Sequence, residues 1–314
     1  MSKIIKPKIQ VGVPCFSYEG DCESYINFAI QTMLLTAKNP KEIEFIIGLN
    51  SDNINTDILY EMKDLCYGIR LINVMDAVGQ QQRTGESPNT TQNTESSLNH
   101  GEVLDLLFEL FDSTYGMWID ADMAFLADEW DNKLKLELDS ENVAIVGMEY
   151  PKNRNRYSNF PTIMGCMFIT EVFKKLNVTF TTKHSGRLKE TPLNEEEAAM
   201  YDFPVGSKIN LDTGERLPFI QKYGYKGKCL NAVHLFQTDG HRKFLDQDID
   251  NARIKSTVKG GKGKVSEAQL NGEVIFTHLS ESRYRKYNEE ILSIVWLQKI
   301  KQWFKEKYNT EITI

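Results

Sequence analysis

Residues 115–126 read YGMWIDADMAFL, two aspartates set one residue apart inside an apolar run. Tyr115 to Ile119 has the composition of a buried strand, so Asp120 and Asp122 fall at its C-terminal end. Asp-x-Asp occurs three times in the chain, at 120/122, 246/248 and 248/250. The last two lie in the polar segment LDQDIDNARIK, where solvated acids are the default. The first is followed by Met123-Ala124-Phe125-Leu126, and ionised carboxylates are seldom placed in such company without a partner.

On an extended strand, residues i and i+2 share a face about 6.6 Å apart, at ~3.3 Å per residue. One divalent ion, with oxygen ligands at about 2.1 Å, is hard to reach equally from both. One of Asp120 and Asp122 is therefore expected to hold a metal, and the other to take a metal-bound water or a ligand hydroxyl. Mg²⁺ and Mn²⁺ commonly share carboxylates with substrate phosphates, so a diphosphate would complete the site. Strand-end caps or plain surface acids are the competing reading.

Working outward, the chain alternates. IQVGVP (9–14) reads as a strand, 21–37 as a helix, EIEFIIGL (42–49) as a strand, 54–66 as a short helix and IRLINVM (69–75) as a third strand. That rhythm implies an α/β fold, a mostly parallel sheet flanked by helices. Open sheets of this kind bind ligands beyond the carboxyl ends of their strands, which is where Asp120 and Asp122 stand. Residues 76–97 form a polar connection, followed by a helix over 98–111. Further strands are expected at 142–150 and 161–169. A helix starts near Thr170, another is opened by Leu211-Asp212-Thr213-Gly214-Glu215, and a strand EVIFTH precedes a C-terminal helix over 284–307.

The chain has 314 residues, 41% of them hydrophobic, enough for one large or two small domains. A net charge of −7 disfavours a general polyanion binder. No stretch approaches the ~20 apolar residues of a membrane span, and the N-terminus lacks a signal-peptide pattern. Five scattered cysteines without a CxxC pair point to reduced thiols and a cytoplasmic protein.

The order of elements around YGMWIDADMAF resembles nucleotide-sugar glycosyltransferases of the GT-A fold, especially family-2-like members, across most of the chain. IQVGVPCFSYEG is similar to their first strand and nucleotide-binding loop, which assigns Pro14 and Phe16 to the donor. SLNHGEVLDLLFEL resembles the donor-pocket helix. His100-Gly101 lies near its start, where backbone N–H groups favour an anion, or is an ordinary helix terminus. PTIMGCMFITEVF resembles the acceptor-side strand and helix. TGERLPFIQKYGYKGKCL resembles the segment after their catalytic acid. FTHLSESR resembles a C-terminal motif whose His joins the metal and whose Arg meets the diphosphate, here His278 and Arg283.

Two places depart from the family pattern. Where an acid contacts the nucleotide base or ribose, this chain has Leu49-Asn50-Ser51-Asp52, leaving Asn50 or Asp52. The Glu-Asp pair near the catalytic acid is replaced by Asp212-Thr213-Gly214-Glu215. Asp212 is then the candidate base toward an acceptor hydroxyl, with Glu215 the fallback; their spacing also fits a capping box.

The resemblance implies a hexosyl- or pentosyltransferase that uses Mn²⁺ or Mg²⁺ and a nucleoside diphosphate sugar. The acceptor is a glycan, a protein or a phage hydroxymethylated DNA base, the last placing the enzyme in the host cytoplasm. For DNA, Arg154, Arg156, Arg242, Lys243 and KSTVKGGKGK (255–264) would form a basic groove; that last run also reads as a lid or a solvated loop. A non-catalytic nucleotide-binding module of the same fold is the alternative. The expected organisation is a core over 1–236, a flexible Gly/Lys-rich loop over 237–272, and a C-terminal strand and helix over 273–314 that complete the metal and diphosphate site.

Overall fold

A computed structural model describes residues 6–15, 22–49, 57–74, 92–150, 157, 159–181, 192–209, 213–234, 242–258, 264–280 and 290–312. Ten strands are present among them: β1 (Ile9–Cys15), β2 (Ile43–Leu49), β3 (Gly68–Asn73), β4 (Tyr115–Trp118), β5 (Met123–Phe125), β6 (Val143–Met148), β7 (Cys166–Ile169), β8 (Lys226–His234), β9 (Lys264–Leu270) and β10 (Glu273–Ser280). The helices are α1 (Cys22–Thr36), α2 (Asp57–Met62), α3 (Gln92–Glu109), α4 (Trp130–Leu138), α5 (Thr170–Lys175), α6 (Glu195–Tyr201), α7 (Gln247–Val258) and α8 (Glu290–Tyr308).

The strands form one sheet in the order β3-β2-β1-β4-β7-β6-β8-β9-β10-β5. β3, β2, β1 and β4 are mutually parallel, as β-α-β units require. Following the pairings across the sheet, β6, β8 and β10 run the same way, while β7, β9 and β5 oppose them. The expected α/β architecture, a mostly parallel sheet flanked by helices, is therefore the one observed. β8 joins its two parts. Its first half pairs with β6 through Lys226–Leu230, and its second half with β9 through Asn231–His234.

Both faces of the parallel region are apolar because helices cover both. On one, Ile26, Ile30 and Met33 of α1, Leu59 of α2, and Trp130 and Leu134 of α4 pack on Val11, Phe45 and Met117. On the other, Val103, Leu107 and Phe108 of α3 pack with Trp118, Phe168, Phe173 and Phe180. A third cluster wraps α8 (Trp296, Ile300, Phe304) onto Phe28, Ala124 and Leu126. Gly12 allows the close approach of β1 and Trp118: a Cβ there would lie 1.9 Å from the indole Cζ3.

Several boundaries differ from the sequence reading, each for a physical reason. The strand read over Tyr115–Ile119 ends at Trp118, but the aspartates beyond it do not keep an extended spacing, because the chain turns at Asp120–Asp122 and leaves β4 for β5 at the far end of the sheet. The polar connection is shorter than expected, since α3 already begins at Gln92. Thr213 to Arg216, read as the start of a helix, form a turn, and a 3₁₀ helix runs over Leu217–Tyr223 with Pro218 in its first turn. The capping box forms instead at α6, where Asn194 accepts from the Glu197 N–H and the Glu197 carboxylate accepts from the Asn194 N–H. The described part of the segment read as a flexible Gly/Lys-rich loop over 237–272 contains α7 and β9. Glu267, fully buried, holds that segment by accepting the backbone N–H groups of Lys243, Phe244 and Leu245.

Replacing Gly12 by Ala should force Trp118 out of its stack with Phe111 and Phe168. The expected cost is about 1–3 kcal/mol, read as a lower urea midpoint at unchanged slope.

Candidate metal centre and active site

Two strand ends build the site. β4 stops at Trp118, whose partner across β1 is Gly12, and Ile119 donates its N–H to the Gly12 carbonyl at 3.3 Å. The chain then turns through Asp120-Ala121-Asp122 into β5. That strand pairs with β10 in the register His278 with Met123, Thr277 with Ala124 and Phe276 with Phe125. Directly opposed residues in an antiparallel pair share a face, so His278 comes up beside the turn. The Leu279 N–H donates to the Asp122 carbonyl at 3.0 Å and fixes that register. Thr277 anchors β10 from behind by donating to Ser266 O and accepting from the Trp296 indole N–H.

His278 Nε2 lies 3.2 Å from Asp120 Oδ2 and 3.2 Å from Asp122 Oδ1. The three side chains are 3%, 25% and 11% exposed in the order His278, Asp120, Asp122. One ligand atom from each lies within 4.8 Å of the others. Two ligands cis on an ion with bonds of about 2.1 Å stand ~3.0 Å apart, so the donor spacing suits a single divalent cation. His100 Nε2 stands 4.0 Å from the other oxygen of Asp120. Burial, together with the Asp120 charge, raises the Cys166 pKa and keeps its thiol protonated in the metal-free protein.

Burial alone would depress the His278 pKa. The charge of Asp122 and the hydrogen bonds to both carboxylates outweigh it, and the pKa is pushed up to about 10. Without a metal, these contacts favour the protonated imidazole at neutral pH.

The turn changes the division of labour expected from strand geometry. An extended spacing of about 6.6 Å would have kept the aspartates apart, whereas both contact the same imidazole nitrogen. Pro14 lies buried in β1, two residues beyond the pairing of Gly12 with Trp118. His100 is not at a helix start, because α3 begins eight residues earlier at Gln92; the anion-site reading of His100-Gly101 falls with it. Glu215 is buried in the turn after Thr213. Arg242 is tied to Asp250 at 2.6 Å, and Lys255 and Lys264 belong to α7 and β9. Phe16, Asn50, Asp52, Arg154, Arg156, Asp212, Arg283 and residues 259–263 lie outside the described residues.

Asp105 and Thr277 were not singled out from the sequence. Asp105 sits in a helical run with no local mark of its role. Thr277 could have been noticed only as the neighbour of His278.

No family model matches the chain, and no curated protein matches it. Solved structures do. S. aureus TarS is 13% identical with a TM-score of 0.38, covering 55% of this chain and 30% of TarS. A mannosyltransferase from Pyrobaculum calidifontis, in complex with GDP-Man and Mn²⁺, is 13% identical with a TM-score of 0.39, covering 63% of this chain and 52% of that one. Mouse xyloside xylosyltransferase 1 is 10% identical with a TM-score of 0.42, covering 72% and 86%. The chain thus spans about half or less of the length of the first two. Among the described residues no helix is long and apolar enough to cross a membrane.

In the metal-free protein, a folded pKa raised above the ordinary 6.5 means that protonated His278 stabilises the fold. That contribution is complete below pH 6.5 and is lost as pH rises through about 10. Stability of the wild type should therefore fall between pH 7 and 10 relative to His278→Gln, measured by urea unfolding with chelator present. Parallel curves would contradict the assignment.

Proposed function

We propose that this chain is a metal-dependent glycosyltransferase moving a sugar from a nucleoside diphosphate sugar to an acceptor hydroxyl. The observation that carries this reading is the convergence of Asp120, Asp122 and His278 at the carboxyl end of β4, the end of an α/β sheet where ligands bind.

Asp122 and His278, the more buried pair, are the principal holders of the ion. Asp120, more open to solvent, can also meet a ribose hydroxyl or a metal-bound water. A bound divalent ion supplies charge neutralisation for the departing diphosphate. The imidazole in the ligand set favours Mn²⁺ over Mg²⁺, which takes oxygen ligands almost exclusively. His100 steadies Asp120 from α3, and Pro14, Phe16, Asn50, Asp52 and Arg283 remain the proposed donor contacts.

On the acceptor side, Asp212 is the proposed base if the reaction inverts the anomeric centre. It would hold the acceptor hydroxyl by hydrogen bond and take its proton as the new bond forms. Glu215 is the weaker candidate because it is 3% exposed.

A glycan or protein hydroxyl fits the described surface better than DNA. Glu195, Glu196 and Glu197 stand in the first turn of α6, whose Tyr201 reaches the Glu215 carbonyl, and Lys222 is paired with Glu196. Such a surface repels a polyanion. Five scattered cysteines without a CxxC pair support a cytoplasmic setting.

The test is a panel of UDP-, GDP-, CDP- and dTDP-sugars with and without Mn²⁺, read by thermal shift and then by transfer to tagged glycan and peptide libraries. One donor should stabilise the wild type only with Mn²⁺, by about 3 kcal/mol at a concentration 100-fold above Kd, and should be transferred. Asp122→Asn should lose both. Stabilisation without turnover would leave a nucleotide-binding module, and no stabilisation by any donor would end the proposal.

A further inference from the structure

Asp105, one turn beyond Gly101 on α3, has a carboxylate occupied by a single stretch of chain. The Thr179 hydroxyl donates to Oδ2 at 2.6 Å, the Phe180 N–H to Oδ1 at 2.6 Å, and the Thr181 N–H to Oδ2 at 3.0 Å. Gly101 presses on the same stretch; a Cβ there would lie 2.5 Å from Thr181 Cα and 2.8 Å from the Phe180 carbonyl oxygen. That carbonyl in turn accepts the N–H of Gly214 at 2.9 Å.

Gly214 and its neighbour Glu215 are fixed by further contacts. The Gly214 φ of +76° suits glycine, and a Cβ would meet Ile163 Cγ2 at 2.2 Å. The Tyr157 hydroxyl donates to the Gly214 carbonyl at 3.3 Å, and the Tyr201 hydroxyl to the Glu215 carbonyl at 3.2 Å. Burial, with the Glu215 charge beside it, raises the Tyr201 pKa and keeps that hydroxyl a donor.

The opposite contact of α3 is His100, 4.0 Å from Asp120. One helix segment, 100–105, therefore touches the candidate metal centre at one end and, through 179–181, the 213–216 turn at the other.

We infer that Asp105 is a positioning residue that sets the acceptor-side turn against the metal centre, an inference resting on the proposed transferase reading. Transfer needs the acceptor hydroxyl close to the anomeric carbon, and small misplacements of a reacting group cost rate steeply. Hydrolysis of the donor by water needs only the donor half. Loss of Asp105 should thus uncouple transfer from hydrolysis.

The test compares Asp105→Asn with Asp131→Asn in the full chain. Asp131 is the control, a fully buried carboxylate that, like half-buried Asp105, accepts backbone N–H groups, those of Lys38 and Asn39 at 2.7 and 3.3 Å, and also pairs with Lys135 at 3.6 Å. Hydrogen exchange with Mn²⁺ present should be at least tenfold faster at Thr181 and Gly214 in Asp105→Asn and unchanged there in Asp131→Asn. With the donor and tagged acceptor that the wild type uses, kcat for transfer should fall at least tenfold in Asp105→Asn, while donor KM and donor hydrolysis stay constant. Thr179→Val, which removes one of the three bonds, should show the same pattern more weakly and serves if Asp105→Asn does not fold. Unchanged Gly214 exchange, or an unchanged ratio of transfer to hydrolysis, would overturn the positioning role and leave the transferase reading intact. A wild type that turns over no donor would remove both.

Discussion

Two carboxylates at the mouth of an apolar sheet are tolerable only if something answers their charge, and in this chain that partner is His278. Bringing three ionisable groups together at low exposure costs desolvation, which the mutual contacts at 3.2 Å must offset. The rest of the architecture makes that meeting possible. β4 ends where Gly12 admits Trp118. The chain turns instead of continuing straight, and β5, only three residues long, pairs with β10 at the register that sets His278 opposite Met123. Thr277 and Trp296 then hold β10 against the third hydrophobic cluster.

The parallel part of the fold was readable because its signals are local. β1, α1, β2, α2 and β3 follow from alternation between apolar runs and helical spacing, and their observed bounds lie within a few residues of those read from sequence. The acidic turn was readable as a special place from composition alone, since Asp120 and Asp122 stand among Trp, Ile, Met and Phe. Its shape was not. A three-residue strand has no period to detect, so β5 went unread, and carrying strand geometry past Ile119 suggested an extended spacing.

The second half was harder because its stability comes from distant contacts. α7, QDIDNARIKSTV, buries little beyond Ile249 and Ala252, and nothing in its pattern announces a helix. β9 contains Glu267 and Gln269 at buried positions, which reads as polar loop until Glu267 is seen to hold three backbone N–H groups. The approach of His278 to the aspartates left no local mark either. It was suggested by resemblance, and the sheet register supplies the physical cause.

The central claim is that Asp120, Asp122 and His278 together bind a divalent ion. The most direct test is pulsed EPR of the full chain loaded with one equivalent of Mn²⁺. The wild type should show nitrogen modulation from a single imidazole, abolished in His278→Gln, and Asp122→Asn should bind at least tenfold more weakly. Mn²⁺ that binds without nitrogen coupling, or equally well in the His278 and Asp122 variants, would contradict the account.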